Sequence, residues 1–213
     1  MRTSAFLLER KVKDKGLGIE PQLERIGSGV TRCDDIISQL LDFSRSKPVQ
    51  PVMVGLDDWL AKLVEEEAQK LPEQVDVVCS LALGDLQVQF DPARLSRAVI
   101  NLLNNASEAM VGKADVAPAI PVKAPRITIS TRLGTRGVEL RVADNGPGIP
   151  ADQIEKIFEP LFTTKSFGTG LGLPAVQKIM EQHNGGLDVT SEPGNGAVFT
   201  LWWPIAQHLK EAS

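Results

Sequence analysis

The 213-residue sequence predicts an α+β fold, a two-layer sandwich in which a mixed or antiparallel sheet is covered by helices on one face, preceded by a helical hairpin. Three observations support this. Residues 1–47 carry almost no strand signal and step their apolar positions by threes and fours. From residue 48 onward, short alternating strands interleave with amphipathic helices. The join, "SKPVQPV" at 46–52, holds two prolines and reads as a linker, so domains are expected at 1–47 and 48–213.

In the first part, Ala5, Leu8 and Val12 share one helical side, and "GLG" at 16–18 can end that helix and turn the chain. Ile26, Val30, Cys33, Ile37 and Leu40 then follow heptad spacing. Two helices cannot close a core, whereas two copies of the hairpin make a four-helix bundle, so a homodimer is expected. Beyond the linker the pattern predicts a helix over 57–71 and strands over 75–79 and 86–90. A helix over 92–110 follows, capped by Asp91 with Pro92 at its first position. After a proline- and alanine-rich loop at 112–125, strands over 126–132 and 137–143 form a hairpin. A long irregular stretch leads to a helix over 172–183, stopped by "NGG", and strands over 187–191 and 196–203 close the fold.

A net charge of −4 without a Lys/Arg cluster gives no general pull toward nucleic acid or anionic membrane. Cys33 and Cys79 are too few for a zinc site or a disulfide framework; they read as small apolar residues of a reducing interior. No apolar run approaches the ~18 residues of a membrane span, and the N-terminus lacks a signal-peptide pattern, so a cytoplasmic location is expected.

Three stretches carry chemistry. In "RAVINLLNNASEAM", Asn101, Asn105 and Glu108 form one polar stripe on a helix that must also bury a Leu/Val/Ala side. Such a stripe fits a solvated face, but an asparagine carbonyl also ligates a hard cation such as Mg²⁺, which binds phosphates through its other positions. "DNGPGI" places Asp144 at a strand end before turns at Gly146 and Gly148. This suits either an Asx-type turn or a carboxylate facing a flat ring with a donor, such as the exocyclic amine of adenine. "KSFGTGLGL", 165–173, is neither a Walker A loop nor a dinucleotide fingerprint. It is a glycine turn running into a helix with Pro174 in its first turn, so unpaired N–H groups and the positive dipole end converge on a place that suits phosphate. Ahead of it, Phe158, Phe162 and Phe167 anchor an otherwise irregular segment that fits a movable lid.

In order, "NLLNNASEAM", "DNGPGI", "FEPLFTTK", "GTGLGL" and "GNGAVFTLWWP" resemble the N, G1, F, G2 and final glycine boxes of sensor histidine kinases, members of the ATPase superfamily of gyrase, Hsp90 and MutL. "LLDFSR" at 40–45 is similar to the end of the second helix of their dimerisation and phosphotransfer domain. The resemblance implies the Bergerat-type ATP-binding fold, with ATP and Mg²⁺ as ligands. It makes Asn105 the Mg²⁺ ligand, Asn101 a contact to metal-bound phosphate or water, and Asp144 the acceptor for the adenine amine. Gly146, Gly148 and Ile149 would line the adenine pocket, and Lys165 would reach a phosphate. Gly168, Thr169, Gly170, Leu171, Gly172 and Leu173 would pack around the triphosphate.

The implied reaction is transfer of the γ-phosphoryl to a histidine on the bundle, then to an aspartate of a response regulator. Hydrolysing branches carry a glutamate where Asn101 stands; an amide cannot act as base for water, so fast hydrolysis is disfavoured. The family's acceptor histidine is missing: His183 and His208 both lie outside the hairpin. The opening "RTSAFLLERKVKDK" resembles the later half of the first bundle helix, so a truncated sensor kinase is expected. An acceptor-less ATP-sensing module that dimerises and controls a partner without phosphotransfer is the alternative.

Overall fold

The computed structural model describes residues 48–112, 122–165 and 168–205, with a few helical positions between 22 and 30. Apart from those positions, the predicted hairpin lies outside the described residues, as do Phe167 and His208. The chain divides into two units, Met1–Ser46 and Lys47–Ser213. Among the described residues no helix is long and apolar enough to cross a membrane.

The second unit begins with a strand where the sequence predicts the end of a linker: β1, Val52–Gly55, pairs antiparallel with β3, Gln87–Phe90, in a separate two-stranded sheet. Its four residues follow Pro51 directly, and Val52 and Met53 are exposed, so no buried alternation marks it. Helix α1, Leu56–Ala68, buries Leu56, Leu60 and Val64 and ends three residues before its predicted limit. Its Asp57 is buried and holds the loop after β2 (Asp76–Ser80). Oδ2 accepts from the N–H groups of Leu83 at 2.7 Å and Gly84 at 2.8 Å, and Oδ1 accepts from the Thr131 hydroxyl at 2.6 Å.

The main sheet is mixed, in the order β2-β4-β5-β7-β6, with β4 at Arg126–Gly134, β5 at Gly137–Asp144, β6 at Gly186–Ser191 and β7 at Ala197–Trp203. Only β2 and β4 pair in parallel. Register aligns Ile129, Val142 and Phe199, and beside them Leu140 and Leu201, on one face. Strand period two then sends Arg141 and Thr200 to the other face. Helices α2, Pro92–Val111, and α3, Gly172–Gln182, contact these strands and share one core with them. Between β5 and α3 the predicted irregular stretch contains two short 3-10 turns, Ala151–Gln153 and Lys156–Phe158.

Candidate nucleotide site

Helix α2 starts where the sequence predicts. Asp91 Oδ1 accepts from the N–H groups of Ala93 and Arg94, both at 3.1 Å, and Oδ2 accepts from Gln50 N–H at 2.8 Å. Burial works against ionisation of this carboxyl, but the N–H groups of Gln50, Arg94 and Ala93 more than offset it and hold its pKa below the usual range. Leu95, Ala98, Val99, Leu102, Leu103, Ala106 and Met110 turn to the core. That rotation leaves Asn101, Asn105 and Glu108 as a half-buried stripe beside exposed Asn104.

What faces this stripe is decided at the far end of α3. His183 is buried, and both ring nitrogens are engaged. Asp91 N–H donates to Nε2 at 3.0 Å, and Nδ1 lies 2.8 Å from the Ile179 carbonyl. The clasp pins the end of α3 to the start of α2, so the two helices run antiparallel. Eleven residues back along α3 is about 16 Å, and ten to fourteen residues along α2 is about 15–21 Å. The start of α3 must therefore lie beside Asn101 and Asn105, and it does: a Cβ on Gly172 would stand 3.7 Å from both Asn101 Oδ1 and Asn105 Nδ2. Leu171 offers no side-chain cap. The first turn of α3, whose N–H groups lack intrahelical partners, thus begins beside the amide pair.

Asp144 ends β5 on the core-facing side, level with Ile127 and Ala197. Its Oδ1 accepts from Gly146 N–H at 2.8 Å and Ala197 N–H at 3.3 Å, and among the described residues Oδ2 has no hydrogen-bond partner. Burial pushes this carboxyl up, while the two N–H groups and the charge of Lys165 pull the other way without cancelling it. The following loop is locked by the turn before β7. Gly194 N–H donates to Pro147 C=O at 2.7 Å, Ile149 N–H to Ser191 Oγ at 2.8 Å, and the Ser191 hydroxyl to Gly196 C=O at 2.6 Å. Gly148 has φ +73°, and any Cβ there would overlap the Glu192 carbonyl, which explains the glycine.

Lys165 lies over the α2 stripe. Its Nζ is 2.8 Å from Glu108 Oε2 and 3.5 Å from the backbone carbonyl of Asn105. The turn around it is closed by Lys165 N–H to Thr163 Oγ1 and by Gly168 N–H to Lys165 C=O, both at 3.1 Å. Gly170 C=O accepts from Leu161 N–H at 2.9 Å, and Leu171 N–H lies 3.4 Å from Thr169 Oγ1. Leu171 is buried, and Leu173 and Ile149 pack against the core, so these three can offer a ligand chiefly backbone.

Of the residues singled out in the sequence, the fold thus brings Asn101, Asn105 and Gly172 together. It sets Lys165 on the same stripe, close enough to Asp144 to act on its charge. Sequence reasoning missed the His183 clasp and the Ser191 brace. It also missed Asn145, whose Oδ1 accepts from Arg126 N–H and whose Nδ2 donates to the Ala124 carbonyl, both at 2.8 Å. These act on partners far along the chain; only the Asn in "DNG" carried a local hint of turn chemistry.

The family model for histidine kinase-, DNA gyrase B- and HSP90-like ATPases matches residues 90–207. The sensor histidine kinase ZraS of Salmonella typhi is 38% identical over 178 residues, which cover 82% of this chain and 36% of ZraS. The chain spans about a third of the length of the ZraS sequences it matches. Among solved structures, the catalytic domain of histidine kinase ThkA is 30% identical with a TM-score of 0.60, covering 74% of this chain and 97% of that one. ThkA in complex with the response regulator TrrA shares the fold at 24% identity, TM-score 0.69, covering 94% of this chain and 55% of that one. Full-length ShkA in complex with AMPPNP does so at 21% identity, TM-score 0.75, covering 95% and 42%.

Proposed function

The chain belongs to the family of histidine kinase-, DNA gyrase B- and HSP90-like ATPases, and from that premise we propose that it is the ATP-binding catalytic core of a two-component sensor histidine kinase. The observation that carries this reading is the open start of α3 set against the Asn101–Asn105 pair. Backbone N–H groups at a helix N-terminus bind phosphate, and here the helix begins with a glycine beside the two amides.

The residues fit Mg²⁺ and ATP. Two side-chain amides offer carbonyl oxygens to a hard cation, and among the described residues no group of three or more His, Cys, Asp or Glu could form an all-protein cage. Asn105 would hold Mg²⁺ together with phosphate, with Asn101 beside it, which suits an ion that keeps few protein ligands. When bound, it neutralises charge on the phosphates. Asp144 accepts the adenine amine on Oδ2, and Gly146, Gly148 and Ile149 shape that end. Lys165 contacts phosphate, and Gly168 to Leu173 supply backbone around it. Asn101 cannot take a proton from water, so the site favours transfer to another nucleophile over hydrolysis.

The nucleophile is a histidine of a helical bundle. His183 is excluded because both ring nitrogens are engaged within the buried clasp. The fold is the two-layer Bergerat-type sandwich over 48–213, and residues 1–47 form the hairpin that dimerises into the bundle. The phosphoryl passes on to a response regulator aspartate. ThkA in complex with TrrA, a partner of that kind, supports this. The site works in the cytoplasm, where ATP is available, whether or not the parent protein is membrane-attached.

The test has two arms. The chain should bind MgATP in calorimetry, and with γ-labelled ATP and a cognate bundle carrying an acceptor histidine it should yield phosphohistidine. Binding without transfer to any cognate bundle would instead identify an ATP-sensing module.

A further inference from the structure

Glu108 is the one member of the α2 polar stripe that nucleotide binding does not use. It stands one helical turn beyond Asn105, and its carboxylate is 2.8 Å from the Lys165 ammonium. The two side chains are only 22% and 26% exposed, so water screens the pair less than it would at an open surface. Lys165 also reaches the backbone carbonyl of Asn105 at 3.5 Å, and its charge acts on Asp144 against the stronger effect of burial. A phosphate arriving there must draw Lys165 away from Glu108, or share it and meet the charge of Glu108 directly.

We propose that Glu108 is a resident competitor for Lys165, a positioning residue that opposes the phosphate contact and reclaims the lysine when the phosphoryl charge leaves, so that it limits affinity and hastens nucleotide release. The proposal rests on the nucleotide reading of the site. A triphosphate with its Mg²⁺ offers several anionic oxygens and can outbid one carboxylate, whereas after γ-phosphoryl transfer the remaining diphosphate offers fewer, and the pairing at 2.8 Å is restored. Adenosine, with no phosphate, has nothing to contend for. Had Glu108 instead served to hold Lys165 in place for phosphate, removing its charge would weaken binding, so the sign of the effect decides.

The test is calorimetric and stopped-flow titration of the whole chain with MgATP, MgADP and adenosine, comparing Glu108→Gln and Glu108→Ala with the natural sequence. Both variants should bind ATP and ADP about three- to tenfold more tightly, the range that an ion pair between weakly and well screened supports. ADP should also dissociate more slowly, with adenosine unchanged. Unchanged or weaker ATP binding overturns the proposal, and so does an equal gain for adenosine, which would mean a general change in the pocket. If the natural chain binds neither nucleotide, the nucleotide reading itself fails; if it binds and the variants gain nothing, only the role of Glu108 does.

Discussion

Replacing Gly172 by alanine separates what the start of α3 does for the fold from what it does for a ligand. Gly172 is the first residue of the helix, and its added Cβ would lie 3.7 Å from Asn101 Oδ1 and Asn105 Nδ2, an ordinary van der Waals distance. No atom has to move, so the folded state accepts the methyl. The unfolded chain loses freedom, and alanine is the better helix former, which together favour the variant by about 0.4–1 kcal/mol. For a unit of this size that raises the melting temperature by about 1–4 °C. The same methyl adds bulk beside the amide pair at the start of α3, where phosphate and Mg²⁺ are assigned. Excluding them by even about 1.4 kcal/mol weakens MgATP binding by about tenfold. Melting followed by circular dichroism, with calorimetric titration of the same sample, reads both effects. A variant that melts higher and binds MgATP as before would refute the reasoning, because the phosphates would then not lie at the start of α3 beside the stripe.

Asp144→Asn should keep the fold, since an amide oxygen can still accept from Gly146 and Ala197 N–H. Burial raises the Asp144 pKa, so its ionised form costs stability above the unfolded value of about 3.9, and the variant removes that cost. Its melting temperature at pH 7 should be equal or higher while MgATP binding falls at least about tenfold; undiminished binding would remove Asp144 from the adenine site. Asp91→Ala should lose about 1 kcal/mol at pH 7 in urea denaturation, because α2 loses its cap and Gln50 N–H its acceptor. The Asp91 pKa is depressed in the fold, so its contribution is present above the unfolded pKa and fades as pH falls through the folded one. The gap between variant and natural chain should therefore shrink toward about pH 3, and a constant gap would contradict the assignment.

How much of the fold and site was legible in the sequence depends on whether a feature is expressed by local spacing or by a partner far along the chain. The cap of α2 was legible because Asp91, Pro92 and the helical period are adjacent, and β4 and β7 were legible because one buried face imposes alternation. β1 was not, since four residues with exposed Val52 and Met53 acquire their strand character only from β3, which itself leaves the main sheet for that pairing. The site divides in the same way. The stripe of Asn101, Asn105 and Glu108 follows from helical periodicity, but what it faces is set by a hydrogen bond between Asp91 and His183, 92 residues apart. His183 looks like an ordinary helix-end residue in sequence, and its isolated position carries no sign of a partner. Yet this buried ring fixes the antiparallel register of α2 and α3, and that register carries Gly172 to the amide pair. Lys165 and Glu108, 57 residues apart, repeat the pattern, each an ordinary charge alone and a matched pair only once the turn after Thr163 folds back over α2. The groups suited to chemistry were therefore visible as residue types, while the groups that hold them in register were visible only as contacts.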